Sequence, residues 1–319
     1  MPAISAYASS KLILLGEHAV VYGEPAIAIP FSGLRVRAMV EPLIGSFSGT
    51  IHIFAPSLGL NHDLQNLPED NLVAKSITLT LASLGIMQNP TCKISIFSDV
   101  PLSSGLGGSA AIAVAIMRAL SAFLGHPLKQ DKLNHLAFQT ETLMHGTPSG
   151  IDNTVIVYEK PIYFVKGQEV EFITPGGQFT FLVADSGVKK STASTVQQVA
   201  NERQADSDHY NTLIRQIGDC SRRGKSALEV GNAVSLGEVL NENQSLLEQM
   251  NLSCPELDNL INHAKQAGAL GAKLTGGGKG GHMLTLVEES DIESIRSALW
   301  EAGATQVYQT KLSASDKHA

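Results

Sequence analysis

Apolar and polar positions change their spacing along this chain, and the changes divide it. Short apolar stretches recur early, at Lys11–Leu15, Ala26–Ala28, Arg35–Val40, Thr50–Phe54 and Cys92–Ser98. Within the last, Lys93-Ile94-Ser95-Ile96-Phe97 nearly alternates, as a half-buried strand does. Asn71–Leu84 reads as a helix. Ala110–Leu124 is apolar almost throughout and predicts a buried helix. Lys132–His145 sets Leu133, Leu136, Ala137, Thr140, Leu143 and Met144 on one helical stripe. Strand signals return at Thr154–Tyr158, Ile162–Val165 and Phe179–Val183.

After about Asp185 helical spacing dominates, from Thr195 to Gly268. Ser253 followed by Pro255 starts one helix and Gly268 stops it. His282–Val287 reads as a strand. Ser290 with Glu293 forms a capping-box signature for a helix through Ala302, and Val307–Lys311 reads as a closing strand. Strands and helices that segregate rather than alternate predict an α+β protein of two lobes. The lobes fall at residues 1–184 and 185–319, with the final strand free to return to the first.

Composition narrows the class. With 43% hydrophobic and 17% charged residues in 319, the chain can bury a substantial core. A net charge of −7 argues against broad nucleic-acid binding, which needs a basic face. Cys92, Cys220 and Cys254 share no metal-ligand spacing and point to a reducing compartment. Residues 1–10 lack a signal-peptide pattern, and no apolar run approaches the ~20 residues of a membrane span. A cytoplasmic protein without nucleic-acid or membrane partner is expected, with a homodimer left open.

Three segments carry chemistry. Pro101–Ala111, PLSSGLGGSAA, joins a strand to the apolar helix and places bare N–H groups at a helix N-terminus, which favours phosphate. It is not a P-loop, since no Gly-Lys pair is followed by Ser or Thr. The pattern G-x-G-x-x-[GA] occurs at Gly105 and again at Gly276. A dinucleotide-linked oxidoreductase would also need an acidic residue at a second strand's tip, and a turn with a helix cap explains either cluster alone. Lys11–Gly23, KLILLGEHAVVYG, places Glu17 and His18 just past an apolar strand, at no common zinc spacing. Glu141–Asn153, ETLMHGTPSGIDN, offers Glu141 at the border of a helix's apolar stripe and Asp152 after a tight turn. Each acid alone suits a surface or capping role. Together they supply the two carboxylates of a Mg²⁺-dependent phosphoryl transfer.

With these segments the chain resembles the GHMP kinase superfamily. Pro101–Ala111 is similar to its P-x-x-x-G-L-G-S-S-A-A motif, and Lys273–Gly281, KLTGGGKGG, to its C-terminal glycine motif. Gly16–Gly23, GEHAVVYG, and His145–Asn153, HGTPSGIDN, resemble the branch that phosphorylates mevalonate. Galactokinases carry an Asp-Tyr soon after the Glu-His, and phosphomevalonate kinases a Tyr at the place of His18. The resemblance implies a two-lobed fold, with an N-terminal lobe like ribosomal protein S5 domain 2, a ferredoxin-like C-terminal lobe and the site between them. It implies that Pro101, Ser103, Ser104, Gly105, Leu106, Gly107, Gly108, Ser109, Ala110 and Ala111 cradle ATP, with Ser109 and Glu141 holding Mg²⁺. Asp152 would take the proton of the C5 hydroxyl of mevalonate, with Lys11 beside it, and Glu17, His18 and Thr192 would line the substrate. Three positions depart from the pattern: Ser9-Ser10 replaces Pro-Gly, Gly108 replaces a serine, and Lys279 interrupts the glycine run. The competing readings are another small-molecule kinase of the superfamily, for phosphomevalonate or homoserine, and after it a non-catalytic nucleotide-binding relative.

Overall fold

A computed structural model describes residues 2–101, 105–145, 148–189 and 192–314. Two compact units emerge: Met1–Lys11 with Leu34–Leu102 and Leu106–Glu159, and Leu12–Gly33 with Ser103–Gly105 and Lys160–Ala319.

The first unit holds the start of β1 (Ile4–Leu15) and the end of β2 (Ala26–Pro42), with β3 (Ile51–Ala55), β4 (Leu60–Asp63) and β5 (Cys92–Ser98). Strand β5 runs antiparallel to β2, with Val36 opposite Ser98, and parallel to β3, with Ile51 opposite Cys92. Its alternation holds only in part: Ile94 and Ile96 are fully buried, and Ser95 between them is buried as well. Helix α1 (Leu72–Ser83) starts where the Asn71 side chain accepts from the N–H groups of Val73 (2.9 Å) and Ala74 (3.2 Å). Helix α2 (Gly108–Phe123) packs on β5 and against α1, α3 (Gln130–His145) and α4 (Ile151–Tyr158). Such a surrounded helix must be apolar on every side, and Ala110 to Met117 have no exposed surface.

Helix α4 corrects the strand expected at Thr154–Tyr158. A short apolar run has no periodicity that separates strand from buried helix. Helical hydrogen bonds bound the segment: Thr154 N donates to Gly150 O at 3.4 Å, and Glu159 N closes the last turn on Val155 O at 2.8 Å.

In the second unit β6 (Ile162–Phe164) pairs antiparallel with Ala26–Ala28 of β2 and with β7 (Glu171–Phe172). Strands β8 (Phe179–Asp185), β9 (Gly271–Thr275), β10 (His282–Val287) and β11 (Gln306–Leu312) form an antiparallel sheet in the order β11-β8-β10-β9. Five helices join it: α5 (Thr192–Ala205), α6 (Ser207–Val230), α7 (Ala233–Gln249), α8 (Pro255–Gln266) and α9 (Ile292–Glu301). Side-chain amides of α7 cover the outer edge of β9. Asn241 donates to Leu270 O and accepts from Ala272 N, and Gln244 accepts from Leu274 N at 2.9 Å.

The capping box at Ser290 does not form. A 3-10 turn at Glu289–Asp291 shifts the start of α9 to Ile292, and no side chain caps it. Glu293 instead approaches Arg296 at 3.4 Å. Among the described residues no helix is long and apolar enough to cross a membrane. Burial pushes the thiols of Cys92 and Cys220 up to about 12, which keeps them protonated and unreactive.

Candidate active site

In the first unit the main chain brings Lys11, the glycine loop and Asp152 together. Lys11 N donates to Leu106 O at 3.1 Å, which ties β1 to the loop before α2. The Lys11 ammonium lies 2.9 Å from Asp152 Oδ1, the lysine buried and the Asp152 side chain 31% exposed. Gly107 stands against this pair. A Cβ there would come within 3.0 Å of Ile156 Cδ1, 3.1 Å of Lys11 Cγ and 3.5 Å of Asp152 Oδ2. With φ at 75° and no side chain, Gly107 lets the loop approach the pair and opens α2 without a side-chain cap. A helix N-terminus without a side-chain cap is a place where an anion is favoured.

Asp152 sits in the first turn of α4. Glu141, on α3, is buried. Pro101 is exposed, Ser109 half-buried, and Leu106, Gly107, Gly108, Ala110 and Ala111 are buried. Ser103 and Ser104 lie outside the described residues, as do Gly146, Thr147, Lys190 and Ser191.

A second group forms within the other unit. Glu17 forms a buried ion pair with Lys273 of β9, and Lys273 Nζ also donates to Leu274 O at 2.6 Å. His18 has a left-handed backbone, φ 59°, and its Nε2–H donates to Gly277 O at 2.9 Å. The carbonyl only accepts, so the ring proton on that side is fixed. The Thr275 hydroxyl donates to Ile13 O at 2.8 Å. Thr192 packs on the same glycines: a Cβ on Gly277 would meet its Oγ1 at 2.9 Å, and one on Gly105 would meet it at 3.7 Å.

In the sequence Lys273 stands only at the head of a motif. Its part as the partner of Glu17 has one signal, a charged residue inside the Gly271–Thr275 strand, whose five residues are all buried.

Burial lowers the pKa of Lys273, against the pull of Glu17. Burial likewise lowers that of His18, opposed by its bond to Gly277 and reinforced by the charge of Lys273. His282 is lowered by burial too, despite Asp185 at 4.0 Å. Both histidines thus stay neutral in the fold while the unfolded chain protonates near pH 6.5. The unfolded state then binds more protons as pH falls, so stability drops. From pH 7 to 5.5 we therefore expect the urea midpoint to fall. A flat midpoint over that range would contradict the neutral assignment.

Residues 71–160 match the model of the GHMP kinases N terminal domain, and residues 225–305 that of the GHMP kinases C terminal region. The Methanococcus jannaschii mevalonate kinase structure superposes with a TM-score of 0.85 at 27% identity, covering 96% of this chain and 97% of that one. The L. major mevalonate kinase, solved in complex with R-mevalonate, gives 0.81 at 28% identity, covering 98% and 96%. By fold and by the two domain matches the chain belongs to the GHMP kinases. The mevalonate kinase of Aeropyrum pernix is 34% identical over 301 residues, 91% of this chain and 90% of its own. Within the GHMP kinases, the chain is a member of the mevalonate kinase family.

Proposed function

We propose that the protein transfers the γ-phosphoryl group of ATP to the C5 hydroxyl of mevalonate, giving 5-phosphomevalonate and ADP. The observation that carries this is the Lys11–Asp152 pair at 2.9 Å, set against Gly107 at the open N-terminus of α2. In the reaction Asp152 accepts the hydroxyl proton as the oxygen attacks phosphorus, and the bond to the ADP oxygen breaks. Lys11 orients Asp152 and adds positive charge beside the transferring group. The N–H groups of Gly107 to Ser109 hold phosphate oxygens.

Mg²⁺ suits the residues available. Glu141 supplies a buried carboxylate and Ser109 a hydroxyl in the first turn of α2, both hard oxygen donors. They would hold the ion, which when bound neutralises phosphate charge. Ser109→Ala should raise the Mg²⁺ concentration for half-maximal rate several-fold, and an unchanged dependence removes Ser109 from that role. Glu17, His18 and Thr192 bind the hydroxy acid in this reading, and the compartment is the cytoplasm.

Release of ADP measured with mevalonate, phosphomevalonate, homoserine and galactose tests the assignment. Turnover is expected with mevalonate. If mevalonate is inert while another alcohol reacts, the substrate is wrong.

A further inference from the structure

Lys273 has no exposed surface, and the Glu17 side chain that it pairs with has 1%. A lysine–carboxylate pair taken fully out of water is often no more stabilising than an apolar pair of the same volume, because desolvation offsets the attraction. Stability therefore leaves the pair unexplained. The geometry around it gives a reason. Glu17 is followed by His18, whose left-handed φ of 59° is disfavoured for a side chain with a Cβ. Two grips hold these consecutive residues: Lys273 on Glu17 and Gly277 O on His18, from positions four apart on β9 and its loop. Since Nε2 carries the proton, Nδ1 carries a lone pair, and no described residue bonds it.

We propose that Lys273 is a positioning residue: by holding Glu17 it sets His18 so that Nδ1 accepts a hydrogen bond from a substrate hydroxyl. The substrate class is a hydroxy acid, and this last step rests on the function proposed above. A neutral imidazole is required, since a protonated one would have no acceptor. The charge that acts on His18 agrees with that, and the cations of the neighbouring helices are engaged elsewhere. Lys273 reaches it from β9 with Glu17 beside it in the chain, Arg222 of α6 is paired with Glu24, and Arg203 of α5 lies over Tyr22.

The test is a double-mutant cycle of Glu17→Gln and Lys273→Met, with Lys273→Arg as the conservative variant. Each protein is read by kcat/KM for mevalonate and by an NMR titration of His18. Glu17→Gln should lower kcat/KM about tenfold, one lost charge-assisted hydrogen bond. The double variant should match it within about twofold, because Lys273 acts through Glu17. In the double variant His18 should titrate at higher pH than in the wild type, since the charge opposing its protonation is gone. Lys273→Arg should recover part of the kcat/KM lost in Lys273→Met. If Lys273→Met alone fails to fold, Glu17→Gln and the double variant still decide. A double variant well below Glu17→Gln, or an unmoved His18 titration, overturns the proposal. The titration needs no turnover, so failure of the wild type to phosphorylate mevalonate would sink the functional reading separately.

Discussion

Asp152→Asn should lower kcat by about 10²- to 10⁴-fold, the usual contribution of a positioned proton acceptor. Asparagine has the shape of aspartate, and its Oδ1 can still accept from Lys11, so the 2.9 Å contact has a replacement. What it lacks is the basicity to take a proton. On the proposed function affinity for ATP should hold, because the N-terminus of α2, at Gly108, is unchanged. The fold should hold as well, since the asparagine oxygen leaves the buried Lys11 ammonium with an acceptor. Single-turnover kinetics with a nucleotide titration separate these effects. Near-wild-type turnover would dismiss Asp152 from the reacting hydroxyl.

The second large effect falls at Gly16, where the requirement is spatial. A Cβ there would lie 2.4 Å from Pro25 O and 2.5 Å from Ala26 Cα, backbone atoms at the start of β2 that cannot swing aside. The φ of +93° adds left-handed strain. Gly16→Ala should therefore destabilise by about 3–5 kcal/mol, adding a left-handed penalty to overpacking. A fall in Tm of roughly 4–7 °C follows for a chain of 319 residues. Gly23 provides the control. Its φ of +92° is nearly identical, yet nothing lies within 4 Å of a Cβ there, so Gly23→Ala should show the conformational penalty alone. Equal melting temperatures for the two variants would mean that the contact at Gly16 relaxes freely.

That contrast shows what the sequence could and could not reveal. GEHAVVYG carries two glycines with the same backbone angle, and only the folded chain tells that one lies against β2. Strands with a clean pattern are legible to the residue: Cys92–Ser98 and His282–Val287 are β5 and β10. Thr154–Tyr158 was not, because a run of five mostly apolar residues has too little period to choose between strand and helix. Ser290 matched a capping box by spacing, but a 3-10 turn consumed it before α9 began. The phosphate-loop and carboxylate motifs stand out because glycine and acid spacing is local. The Glu17–Lys273 pair spans 256 positions, and no local pattern links its ends.

The amides of Asn241 and Gln244 carry a consequence for the protein at high concentration. Strand β9 ends its sheet, and an open edge invites a strand from another molecule. With Ala272 N, Leu274 N and Leu270 O already engaged by α7, this border offers a stray chain few of its own hydrogen bonds. The strand that leads into the second glycine cluster is thus shielded from edge-to-edge aggregation, and the shield consists of two side chains on a neighbouring helix.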